Sequence, residues 1–216
     1  TVYLVEDIDL GGAEWTPIGS NGNYFAGTFV GLNTVSRAVG TTMTVSNFTV
    51  NVSANAGLFG SVRGTISNIT VDNAVIASNR MAGGIVGSYY GTVENCHVTN
   101  SFITVTPELL SDGTYDNGDD AGAIAGMVAE GHKKADGTEV FNYLLNCSAT
   151  NTTVTGYRDL GGIVGTANAY TVVEGNSATE VVVKQDLTNG YKSVIPTDVD
   201  VIAGRKISPE TSILQE

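Results

Sequence analysis

Basic residues are scarce in this chain of 216 residues: 10 Lys and Arg stand against 22 Asp and Glu, a formal net charge of −12. Phosphate backbones are gripped by clustered Lys and Arg, so nucleic acid is excluded as a partner, while a cation or a metal ion is electrostatically easier. Cysteine is limited to Cys96 and Cys147, too few for a disulfide framework and without the paired spacing of a zinc site. No stretch approaches the ~20 uninterrupted apolar residues of a membrane-spanning helix, so the expectation is a protein that does not span the bilayer. The first residues, Thr1 to Asp7, lack the basic and apolar regions of a signal peptide, which fits a mature form or an excised piece. Histidine occurs only at 97 and 132, and no HExxH, GxSxG or cysteine–histidine arrangement is present. Both histidines are expected on solvated surface, and no enzyme is expected.

What the chain has is turns and β-formers. Gly 27 and only 15% charged residues, with abundant Thr, Val, Asn and Ser, describe many short strands joined tightly. Internal repetition settles how they are joined. Ala56-Gly-Leu-Phe-Gly60 recurs as Ala82-Gly-Gly-Ile-Val-Gly87, Ala121-Gly-Ala-Ile-Ala-Gly126 and Leu160-Gly-Gly-Ile-Val-Gly165, and more faintly as Val199-Asp-Val-Ile-Ala-Gly204. The closing glycines are 27, 39, 39 and 39 residues apart. Within each repeat the distance from Asn68, Asn95, Asn146 or Gly175 to Ile76, Ile103, Val154 or Val183 is always 8. The apparent period of 39 is therefore a coil of 27 residues plus unequal insertions: 12 residues between Gly126 and Asn146, and others before Ile124 and Ile202.

That arithmetic predicts an all-β chain, a right-handed parallel β-helix of about four coils. Residues 1–55 are expected to form an irregular N-terminal cap and first partial coil, 56–204 the coils, and 205–216 a tail or linker, all one structural domain. Trp15, Phe25 and Phe29 are assigned to packing in the cap. Asn68, Asn95 and Asn146 should stack as one corner ladder, and Asn73, Asn100 and Asn151 as another. Asn tolerates left-handed backbone angles, and its amide can donate to the carbonyl oxygen of the coil beside it. Cys96 and Cys147 fall at equivalent positions and should stack inward, as buried thiols or as a disulfide.

The blocks ending at Gly60 and Gly87, preceded by Asp7-Ile-Asp-Leu10, Trp15-Thr-Pro-Ile-Gly19 and Gly27-Thr-Phe29, resemble those of GLUG-motif proteins over nearly the whole chain. Where that family commonly has an Asp-Gly-Asn-Gly-His-type turn, this chain has Val30-Gly-Leu-Asn-Thr34 and extra residues through Thr44. Such repeats occur in large secreted and surface proteins of bacteria, including adhesin-like proteins and non-catalytic regions of immunoglobulin A1 protease type zinc peptidases. The resemblance implies a surface β-helix, secreted or associated with the outer membrane. It suggests cell adhesion, with a host or cell-surface protein or glycan as partner, and brings no catalytic motif.

Function on such a scaffold is expected in the inserted loops. Asp112, Asp116, Asp119 and Asp120 gather four carboxylates in one insertion and are candidate calcium ligands, with a solvated loop tip as the alternative. No other cofactor is indicated. Tyr89, Tyr90, Tyr115 and Tyr157 lie near corners and are candidate ligand contacts. A passive stalk within a larger surface protein is the first alternative. A polysaccharide lyase or hydrolase is the second, for which Glu94 and Glu174 offer an outward carboxylate pair two coils apart.

Overall fold

The structure, a computed structural model, describes residues 1–20, 22–32, 41–108, 111, 113, 120–186, 199–200, 202–206 and 211–214. No helix occurs among them, and apart from one small hairpin every paired strand runs parallel to its neighbour. Three sheets result, an arrangement consistent with a parallel β-helix. The first stacks Phe25–Gly31, Phe59–Ser67, Val86–Glu94, Ala125–Val128, Val164–Ala167 and Ala203–Lys206 in that order. The second carries Met43–Val52, Ile69–Ser78 and the shorter pieces that follow them, and the third is a narrow ladder through Met81–Ala82, Asp120–Gly122, Leu160–Gly161 and Val199–Asp200.

The repeat produces this because equivalent residues are placed in register. Ile66, Val93, Leu144 and Val173 form one inward row, Val71, Val98, Ala149 and Ala178 a second, and Ile76, Ile103, Val154 and Val183 a third. Nearly all of these side chains belong to one buried core. Each buried Ile, Val or Leu contributes roughly 1.5–3 kcal/mol, and no layer can hide its apolar face alone.

The corners lie where asparagine interrupts the alternation. Asn68, Asn73, Asn95, Asn100, Asn146 and Asn151 all have φ between 47° and 59°, the left-handed region. Asn95 Nδ2 donates to Asn68 Oδ1 at 2.7 Å, and Asn151 Nδ2 donates to Asn100 Oδ1 at 2.8 Å. Asn100 departs from its ladder: its amide donates to Asp72 Oδ1 at 2.7 Å instead of to Asn73. Glu180 occupies the position equivalent to Asn151 and holds φ 54° without an amide. Gly27, Gly64 and Gly91 stack on one another in the first sheet, and a Cβ on Gly64 or Gly91 would overlap the carbonyl oxygen of the glycine below. Only glycine fits that row.

Residues 1–55 differ from the expected irregular cap. Val2–Leu4 pairs with Phe25–Gly31, and Ile8–Glu14 pairs with Met43–Val52, each in parallel, so this segment continues the ladders. Its pairing with Met43–Val52 carries a register shift between Asp9 and Ala13, where Gly11 and Gly12 have positive φ. Ile18 bridges to Phe59, and Gly60 N donates to Ile18 O at 2.9 Å. Trp15-Thr-Pro-Ile-Gly19 is therefore another copy of the glycine block, 41 residues before Gly60 and masked by that spacing. Trp15 packs on Phe48 with ring centroids 6.5 Å apart and donates its indole N–H to Leu58 O at 3.0 Å. Phe25, Phe29 and Phe59 cluster beside it, with centroids 5.1–6.3 Å apart.

At the other end, Ala203–Lys206 and Thr211–Leu214 pair with Val164–Ala167 and Thr171–Glu174. Part of the segment read as a tail thus lies in the first sheet.

Candidate functional site

Phe59–Ser67 and Val86–Glu94 are the two unbroken strands of the first sheet, each nine residues long. The layers on either side of them are broken at neighbouring places, one opposite Ser61 and the other opposite Tyr90 and Gly91, to either side of the Val62–Tyr89 pair. Before Phe59–Ser67, the chain bridges at Ile18, leaves through 22–24 and rejoins at Phe25 opposite Val62. After Val86–Glu94, it pairs as far as Val128 opposite Tyr89, leaves, and rejoins at Tyr143 opposite Thr92. Two insertions so placed become walls, and the outward side chains of the unbroken strands become a floor. The result is a cleft of about 560 Å³ lined by Tyr24, Ser61, Arg63, Ser88, Tyr90 and His132, with Asn23 and Glu130 on its loops.

Each wall has a cation on an aromatic ring or a ring on a ring. The Arg63 guanidinium carbon lies 4.2 Å from the centroid of the Tyr24 ring, and Tyr24 is 48% exposed. Opposite, His132 stacks on Tyr90 with centroids 6.1 Å apart and planes 20° apart, its Nδ1 hydrogen-bonded to the Tyr90 hydroxyl at 3.0 Å. Arg63 and Tyr90 are neighbours across the ladder.

The second wall is anchored below the surface. Asn142 is completely buried: its Oδ1 accepts from Gly91 N at 2.8 Å, and its Nδ2 donates to Ala129 O at 2.7 Å. Where the insertion removes the strand that would have continued the ladder above Gly91, one amide side chain satisfies the orphaned N–H and ties both feet of the loop. Above this base, His132–Lys133 and Glu139–Val140 pair antiparallel. The turn closes through Lys134 N to Thr138 O at 2.8 Å, with a Lys133–Glu139 ion pair at 3.4 Å.

The other predicted site residues scatter. Tyr89 is only 1% exposed; it shares the inward phase of Val93, packs in the core and donates its hydroxyl to Tyr143 O at 3.1 Å, so it backs the cleft floor from inside and offers no surface contact. Tyr157 is half-buried on a different face, its carbonyl accepting from Gln185 at 3.0 Å. Asp112, Asp116, Asp119 and Tyr115 lie outside the described residues. Asp120 is 7% exposed and accepts from Thr166 Oγ1 at 2.7 Å. Register places Asp159 beside it in the next layer, itself ion-paired with Arg158 at 3.2 Å. Burial pushes the Asp120 carboxyl up to about 6; the Thr166 hydrogen bond and Arg158 oppose the shift, and the Asp159 charge adds to it. Among the described residues no three metal-ligating side chains converge.

Glu94 and Glu174 face the same way with Leu145 between them, two strand spacings or about 10 Å apart. That is at the wide limit for an inverting glycosidase pair and too wide for a retaining one. His97 is half-buried, bonded to Ser148 Oγ at 2.7 Å, and desolvation lowers its pKa. Cys96 and Cys147 are both buried free thiols, and burial pushes the Cys147 thiol well above its ordinary value.

Tyr24, Arg63, Asn142 and His132 form no motif in sequence. Their one signal was the insertion of 12 residues after Gly126, which the glycine spacing located without showing what lay opposite it.

Fold and site together define a solenoid-like all-β protein with a lateral cleft. Residues 78–106 match the GLUG motif family, so the chain carries a GLUG motif; that segment spans the Met81–Gly87 block, the unbroken strand and the first asparagine corners after it. No curated protein matches the chain. Among solved structures, a protein described as a "putative immunoglobulin A1 protease" from Bacteroides ovatus is similar at 17% identity and a TM-score of 0.46, over 95% of this chain and 77% of that one.

Proposed function

We propose that this chain is a secreted or cell-surface bacterial interaction module, a right-handed β-solenoid with about four GLUG-type coils whose role is adhesion or ligand binding and not catalysis. Its partner is a host or cell-surface glycan or protein. The observation that carries this is the cleft: two insertions at neighbouring strand positions in flanking layers enclose a floor of hydroxyls, an arginine and a tyrosine. A passive spacer needs only the ladders, and gains nothing from a buried asparagine whose effect is to hold one loop in place. The ligand-contact role sits at Tyr90 with Tyr24, Arg63 and His132, displaced from the corner tyrosines toward the middle of the strand.

The test is binding of purified protein to glycan and extracellular-matrix protein arrays, comparing wild type, Tyr90→Ala and a deletion of residues 108–119. Loss of binding with Tyr90→Ala and retention with the deletion is expected. The opposite result moves recognition to the acidic corner loop, and binding of neither array by any form favours the stalk.

A further inference from the structure

We infer that the cleft recognises a sugar bearing a carboxylate, an inference that rests on the cleft being the binding site. Arg63 carries it. Its guanidinium carbon lies over the Tyr24 ring, 4.2 Å from the centroid, so one side of the group is covered by the ring. Stacking removes much of the rotational freedom a long side chain would lose on binding, leaving a fork arranged for two parallel bonds to a carboxylate. Among the described residues, neither the Lys133–Glu139 nor the Arg158–Asp159 ion pair involves Arg63. What sets Arg63 apart among the described cations is that it both lies over an aromatic ring and lines the cleft.

The rest of the lining suits a sugar ring. The slightly positive C–H face of a pyranose sits well on an electron-rich aromatic face, which Tyr90 supplies one ladder step from Arg63, about 4.8 Å along the stacking direction. Ser61 and Ser88 on the floor, with Asn23 and Glu130 on the loops, exchange hydrogen bonds with ring hydroxyls. Glu130 and the net charge of −12 work against densely sulfated chains, so the carboxylate is an isolated one: a uronic acid alternating with neutral sugars, or a terminal sialic acid.

The experiment is calorimetric titration of the full chain with hyaluronan oligosaccharides and with sialyllactose, each against its carboxyl-reduced form, using wild type, Arg63→Gln, Arg63→Lys and Tyr90→Ala. The expected result is a preference of roughly tenfold or more for the acid over its reduced form in one of the two series, abolished by Arg63→Gln and only partly kept by Arg63→Lys. Which series responds distinguishes uronate from sialate. Equal binding of acid and reduced forms, lost with Tyr90→Ala, overturns the carboxylate assignment and leaves the cleft as the site. Absence of binding in both series overturns the assignment, and the protein array then decides the broader proposal. Arg63 is exposed, so its variants are expected to fold, and identical thermal melts confirm it.

Discussion

Replacing Asp120 by Asn should make the protein more stable at neutral pH and leave it nearly unchanged in acid. In the folded chain the Asp120 carboxyl titrates at about 6, against an ordinary value of 3.8, and desolvation is the largest cause. A carboxyl whose folded pKa is raised binds its proton more tightly folded than unfolded. Its contribution is fully present below about pH 4 and is lost as pH rises through about 6. The gap is about two pKa units, so the cost of ionising this group at pH 7 is on the order of 2–3 kcal/mol. Asn has the same shape, stays neutral, and keeps an oxygen to accept from Thr166. Asp159 retains its Arg158 partner in the variant. Thermal melts of both proteins from pH 4 to 8 should show curves that coincide near pH 4 and separate by roughly 5–10 °C at pH 8, the variant being the more stable. The difference between the two proteins cancels the background of the many exposed carboxylates. A pH-independent difference, or a variant less stable at pH 8 than wild type, would refute the reasoning.

Three other outcomes follow from single positions. Asn142→Ala orphans Gly91 N and Ala129 O in the interior; a loss of about 2–4 kcal/mol in urea unfolding is expected, and limited proteolysis should cut first within 130–141. Glu180→Asn relieves a left-handed residue at a corner where the equivalent layers use asparagine, and should raise stability by about 1 kcal/mol in the same assay. Gly64→Ala forces a Cβ onto the Gly27 carbonyl at φ 153°, and a loss above about 3 kcal/mol or failure to express in soluble form is expected.

The stacked interior was readable from residue spacing because its constraints are local. A left-handed corner selects Asn or Gly, and a close approach between layers selects glycine, so both leave a mark at a fixed distance. The block at Trp15–Gly19 left the same mark, but a proline and a spacing of 41 residues hid it. The phase of Tyr89 and Tyr90 was not readable from their nearness to a corner; it is fixed by Val93 inward and Thr92 outward farther along the strand. The cleft was least legible. It exists because loops at 22–24 and 129–141 leave the sheet at neighbouring strand positions in layers separated by two unbroken strands, and that proximity appears only when register is known.

The most direct test of the cleft as binding site is hydrogen exchange of the protein with and without the tightest array ligand. Slowed exchange at 22–24, 61–63, 88–91 and 129–132, with no change at 107–119, is the result the cleft predicts. Protection confined to 107–119, or spread evenly along the ladders, would contradict it.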